Sequence, residues 1–249
     1  MAVIKSIIVW LTGILFILLF FPVTFIVLLI VIPFDRDRKV VHWILVWQSL
    51  ILSHCMPVWK LKIEGRSKAV PGATYVIISN HQSILDILLL NCLMYRYKWI
   101  SKIENKRVPV LGWYLMMADY ITVDRGNKES KEKMKNEAYK CLQRNISLMM
   151  FPEGTRSSDS EIGFFKRGAF DLAISAKKPI LPVLIDGTGE ILPKHGLVLR
   201  GYHTVTIRVL DPVMPGSFGT DDCDQLALEF SKMMTKELYK MRKKKDSLL

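Results

Sequence analysis

Acidic side chains are scarce in this chain: 23 Asp and Glu stand against 35 Lys and Arg, a net charge of +12 over 249 residues. A surface with that balance attracts anions. Cysteine is sparse as well. Cys55, Cys92, Cys141 and Cys223 lie far apart, with no paired or metal-ligand spacing. That argues against a disulfide framework or a metal site, and for reduced thiols in a cytoplasmic compartment. The sequence has no G-x-S-x-G elbow, which disfavours a serine hydrolase, and no G-x-x-x-x-G-K-[ST] loop, which disfavours a P-loop enzyme. It also lacks H-E-x-x-H, internal repeats and low-complexity segments.

Charge itself is missing from two stretches, Ser6 to Phe34 and Val40 to Trp59. The first is too long for a signal-peptide core, and no small-residue cleavage site follows it. As one straight helix it would extend about 44 Å at ~1.5 Å per residue, beyond the ~30 Å hydrocarbon core. Pro22 interrupts the run and Pro33 closes it, which predicts a kink or break near Pro22. Two arrangements follow. A single tilted span would put the body in the cytoplasm, because Arg36, Arg38 and Lys39 outweigh Lys5. A helical hairpin in one leaflet would instead use Asp35-Arg36-Asp37-Arg38 as its polar turn. The second stretch favours the hairpin. It is interrupted by His42, Gln48, Ser49, Ser53 and His54, and it sets Trp43 and Trp47 one turn apart for the headgroup boundary.

Residues 1–59 therefore read as a membrane anchor and 60–249 as a globular body. Beside an anchor, the expected partner for the positive charge is anionic lipid rather than nucleic acid. The tail Lys240-Met241-Arg242-Lys243-Lys244-Lys245 fits either a lipid-binding segment or a solvated helix end.

The body alternates. Strands are predicted over 73–79, 98–101, 120–123, 147–151, 180–185 and 203–209. Helices are predicted over 83–94, 109–117, 128–145, 167–176 and 221–241. The pattern gives an α/β fold with a mostly parallel central sheet flanked by helices, preceded by the apolar helical anchor. In such folds, sites gather where strands end.

Two polar loops follow strands directly. Asn80-His81-Gln82-Ser83-Ile84-Leu85-Asp86 sits where a strand meets a helix. His81 and Asp86 can form a hydrogen-bonded pair there, in which the carboxylate holds one ring nitrogen and leaves the other as a base. Ser83 to Asp86 fits a helix N-terminal cap equally well, and the two roles can coexist. Phe151-Pro152-Glu153-Gly154-Thr155-Arg156-Ser157 is the second loop, a glycine turn carrying an arginine fork suited to a phosphate. By itself it could also be a plain turn with an exposed Arg–Glu pair.

Together, in this order, NHQS-x-x-D and FPEGTRS resemble the glycerolipid acyltransferase family, most closely its 1-acylglycerol-3-phosphate acyltransferases. Lys102, Pro109, Gly112 and Asp124-Arg125 fall at the family's second block, and Pro179-Ile180-Leu181-Pro182-Val183 resembles its fourth. Ile84 stands where relatives often have an aromatic residue, a matter of packing. The resemblance covers roughly residues 60–215.

It implies that His81 is a general base oriented by Asp86, acting on the acceptor hydroxyl. Lys102 and Arg156 would bind the acceptor phosphate, Glu153, Gly154 and Thr155 would shape that loop, and Arg125 is a weaker candidate for the same site. The implied acceptor is lysophosphatidic acid and the donor acyl-CoA or acyl-acyl carrier protein. No cofactor or metal is implied. The enzyme would sit on the membrane lipid with its active site on the cytoplasmic side, at the inner membrane if bacterial.

Overall fold

The computed structural model describes residues 2–246. Two helices come first, α1 (Ala2–Val31) and α2 (Lys39–Cys55). The helix α1 runs through Pro22 without a break. Proline removes one i→i−4 hydrogen bond, and the remaining ladder carries the helix through. The turn between the helices holds Asp35, whose carboxylate accepts the N–H groups of Lys39 (2.9 Å) and Val40 (2.7 Å) and so starts α2. Asp37 of the same turn pairs with Arg144 at 2.9 Å.

Of the polar residues that interrupt α2, His42, Ser49 and Ser53 are buried against the protein, Gln48 bonds to α1, and His54 is exposed. His42 lies between the Tyr120 hydroxyl (3.0 Å) and the Tyr95 carbonyl (2.8 Å), and burial lowers its pKa to about 4, which keeps the ring neutral. Ser49 accepts from Asn91, and Gln48 donates to Thr24 of α1. These contacts tie the two helices to each other and to the body.

Then follow β1 (Trp59–Glu64), β2 (Val76–Ser79), α3 (Leu85–Asn91), β3 (Tyr97–Lys102), α4 (Leu111–Met117), β4 (Ile121–Val123), α5 (Lys128–Gln143), β5 (Ser147–Met150), α6 (Gly168–Ala176), β6 (Ile180–Asp186), α7 (Thr188–Ile191), β7 (His203–Val209) and α8 (Cys223–Asp246). The seven strands order as β1-β7-β6-β2-β5-β3-β4. From β6 to β4 every neighbouring pair is parallel, whereas β7 runs antiparallel to β6 and carries β1 at the edge. All four residues of β2 are buried, as expected for a central strand covered on both faces.

Alternate side chains feed two cores. On one face Ile77, Met149 and Val183 pack with α1, α2, α3 and α4. On the other, Val76, Leu148 and Leu184 pack with α5, α6 and α8. The helix α8 therefore lies across the sheet from α1. Its Lys240 pairs with Glu237, and its Arg242 turns inward to the body. The basic C-terminal segment is helical to Asp246, and within it the Arg242 side chain is tied to Asp186 and Glu161 of the body.

Candidate active site

Five parallel strands present their C-terminal ends along one edge of the sheet, and the loops that follow β2, β5, β6, β3 and β4 carry the polar residues. His81 comes just after β2. Its Nδ1 lies 2.8 Å from Asp86 Oδ2. The same oxygen accepts the N–H groups of Gln82 (2.7 Å) and Ser83 (2.9 Å), and Oδ1 accepts the Thr188 hydroxyl at 2.5 Å. Asp86 is wholly buried, so these donors replace the water it has lost. A carboxylate can only accept, which fixes the imidazole proton on Nδ1 and leaves Nε2 as a base. The ring stacks on Phe151, centroids 3.8 Å apart and planes 7° from parallel, so its orientation is set from below as well. The cap expected over Ser83 to Asp86 is not formed as such: α3 starts from Ile84 with no side-chain cap bond, and Asp86 is given instead to His81 and the N–H groups of Gln82 and Ser83.

The loop after β5 is stitched to this one in both directions. The His81 N–H donates to Glu153 Oε1 (2.9 Å), and the Ser157 N–H donates to the His81 carbonyl (2.7 Å). Gly154 turns the loop at φ +72°, and its φ and the nearby Arg125 and Lys166 cations leave no comfortable place for a side chain. Arg125, from the loop after β4, donates to the Gly154 carbonyl. Lys102, at the end of β3, pairs with Glu104 at 2.7 Å. Thr155 is exposed. Arg156 has no hydrogen-bond or ion-pair partner among the described residues. A planar five-donor fork held unpaired on a pinned loop is open to an anion.

Burial raises the pKa of Glu153 to about 7, offset in part by the N–H groups of Gly163 and His81. A carboxyl whose folded pKa exceeds its unfolded value stabilises the fold at low pH and loses that contribution as pH rises through about 7. The melting temperature is therefore expected to fall between pH 5 and 8.5, with at most about 3 kcal/mol from this group. Glu153→Gln should flatten that slope in a pH series of thermal melts. An unchanged slope would place the titrating group elsewhere.

Residues 60–186 match the protein family described as Acyltransferase. The chain belongs to the acyltransferase family. It is 32% identical over 207 residues to a chloroplastic 1-acyl-sn-glycerol-3-phosphate acyltransferase of Brassica napus, covering 82% of this chain and 59% of the relative. It is 34% identical over 158 residues to the 1-acyl-sn-glycerol-3-phosphate acyltransferase of Saccharomyces cerevisiae, covering 61% of this chain and 52% of that one. The chain thus spans little more than half the length of these relatives. The crystal structure of the 1-acyl-sn-glycerophosphate acyltransferase of Thermotoga maritima superposes with a TM-score of 0.79 at 22% identity, covering 95% of each chain, and shares the fold.

In this member of the family, sequence reasoning missed Thr188, Gln82 and Asp186. Thr188 supports Asp86 directly. The Gln82 amide donates to Asp186 (3.3 Å) and to the Ser160 carbonyl (3.1 Å). Gln82 sits inside the first motif, but its partners come from distant segments and only the sheet order unites them.

Proposed function

We propose that this acyltransferase moves a fatty acyl group from an acyl thioester to the sn-2 hydroxyl of 1-acylglycerol-3-phosphate, giving phosphatidic acid. The observation that carries the reading is the free Nε2 of a carboxylate-held imidazole on a loop stitched to that of the unpaired Arg156 fork. Nε2 takes the hydroxyl proton as the acceptor oxygen attacks the thioester carbonyl. The tetrahedral adduct collapses, the C–S bond breaks, and the imidazolium returns the proton to the leaving thiolate. Every proton is accounted for without an acyl-enzyme. Lys102, Arg125 and Arg156 would surround the acceptor phosphate, with Glu153, Gly154 and Thr155 forming the turn that presents it.

Coenzyme A and acyl carrier protein carry the same thioester arm, and both are anionic and cytoplasmic, which suits the +12 charge and an active site on the cytoplasmic side. The decisive experiment is acylation of lysophosphatidic acid by the purified full chain, with each donor in turn. Formation of phosphatidic acid supports the reading. Activity only on lysophosphatidylglycerol or a lyso-aminolipid would overturn the acceptor assignment, and no acyl transfer to any lysolipid would overturn the function.

The apolar helices support a membrane-resident enzyme, and their contacts favour an anchor lying in one leaflet. By length and composition α1 could cross a bilayer. Yet it is held along its length. Ser6 accepts the Leu199 N–H (2.8 Å), Trp10 donates to the Leu197 carbonyl (2.8 Å), Tyr114 donates to the Ile17 carbonyl (3.4 Å), and Phe21 packs on Trp113. A helix clamped to a polar body over some 15 residues, ~22 Å at ~1.5 Å each, cannot cross the hydrocarbon core without dragging the body in. Its outward face (Ile4, Leu15, Leu29) is exposed, and Leu197 beside Trp10 is 77% exposed. A polarity-sensitive probe placed in turn at residues 4, 15 and 29 should report similar depths in vesicles. A steady gradient through the bilayer centre would favour a spanning helix instead.

A further inference from the structure

We propose that Arg242, in the last turns of α8, is a positioning residue that locks the phosphate-binding loop onto the His81 loop. The proposal rests on the acceptor assignment above. The Arg242 guanidinium makes contacts in two directions. Toward the sheet, its Nε and Nη2 each lie 3.1 Å from Asp186 Oδ1 at the end of β6. Toward the second motif, Nη1 donates to Glu161 Oε1 (2.6 Å) and Nη2 to the Ser160 carbonyl (2.8 Å).

Both ends of this clamp lead to the reacting groups. Asp186 and the Ser160 carbonyl also accept from the Gln82 amide, and the Gln82 N–H is one of the donors that hold Asp86. On the loop side, Ser160 and Glu161 lie between Ser157, bonded to the His81 carbonyl, and Gly163, bonded to Glu153. Arg156 precedes Ser157 directly. The clamp thus spans three segments far apart in the chain, and Asp186 is only 7% exposed. The planar fork spreads its donors to reach Asp186 and the 160–161 segment together, whereas a lysine gathers its three donors on one nitrogen at a shorter reach.

The remaining basic side chains described on α8 behave differently. Lys232 and Lys240 pair within the helix with Glu229 and Glu237. Arg242 is the one described cation of α8 hydrogen-bonded to the motif loops.

The test is steady-state kinetics of the full-length protein with Arg242→Gln and Arg242→Lys, varying lysophosphatidic acid and donor separately. Arg242→Gln is expected to raise the acceptor KM about tenfold and to lower kcat by a few-fold while the donor KM stays put. Arg242→Lys should recover only part of the loss, and added guanidinium ion should restore activity to the Gln variant but not to wild type. A merely structural residue would lose active enzyme, so kcat would fall with both KM values unchanged and guanidinium would not help. That pattern, or wild-type kinetics, overturns the proposal.

Should the Gln variant fold poorly because Asp186 is left without its cation, Arg242→Gln with Asp186→Asn removes the stranded charge. The pair must still show the raised acceptor KM. Activity of wild type on lysophosphatidic acid, measured alongside, separates failure of this proposal from failure of the acceptor assignment.

Discussion

Alanine at position 81 is expected to lower kcat by about 10²- to 10⁴-fold, the range that a positioned general base contributes. The acceptor hydroxyl is a poor nucleophile unless its proton has somewhere to go, and Nε2 is the base this geometry offers it. Asp86 would keep its bonds from Gln82, Ser83 and Thr188, so the motif loop should hold its shape and the melting temperature should change little. The measurement is kcat at saturating acceptor and donor, with melting curves as the control for folding. If His81→Ala retains wild-type kcat, the base is another group and the mechanism fails.

Arg156→Ala is the second large effect, an acceptor KM raised about 100-fold or more, in keeping with the loss of a charge-assisted fork on an anion. The fork has no partner among the described residues, so truncation strands none of them and the loss falls on binding. A phosphate-free acceptor, 1-acylglycerol, separates the explanations. Wild type should prefer the phosphorylated acceptor strongly, and the variant should lose most of that preference. An unchanged preference would move the phosphate elsewhere, with Lys102 and Arg125 the next residues to test.

The alternation of strands and helices was legible in the sequence because buried parallel strands write themselves as apolar runs such as Val76–Ser79 and Ile180–Ile185. Edge strand β1 was not, since Trp59–Glu64 alternates lysines with apolar residues and follows an uncharged helix without a break in pattern. Its partner β7 is supplied from far along the chain. The break expected at Pro22 is absent for a related reason. The cost of one lost hydrogen bond is local and readable, whereas the packing along α1 that outweighs it is not.

The site divides the same way. His81, Asp86, Glu153 and Arg156 lie in short motifs whose chemistry is local. Thr188 and Asp186 act only because β6 neighbours β2, and nothing in their own surroundings announces it. Arg242 was hidden in a run of lysines whose summed charge suggested a lipid surface, while its own side chain points to the protein.

The sheet order has a consequence for how activity is acquired during folding. The hydrogen bond that steadies Asp86 joins residues 102 positions apart, and the one that joins His81 to Glu153 closes a separation of 72. Contacts of such long range form late, after the entropy of closing the intervening loops has been met. Recovery of acyl transfer on refolding should therefore lag the return of helical signal, and enzyme activity becomes a clock for the completed sheet.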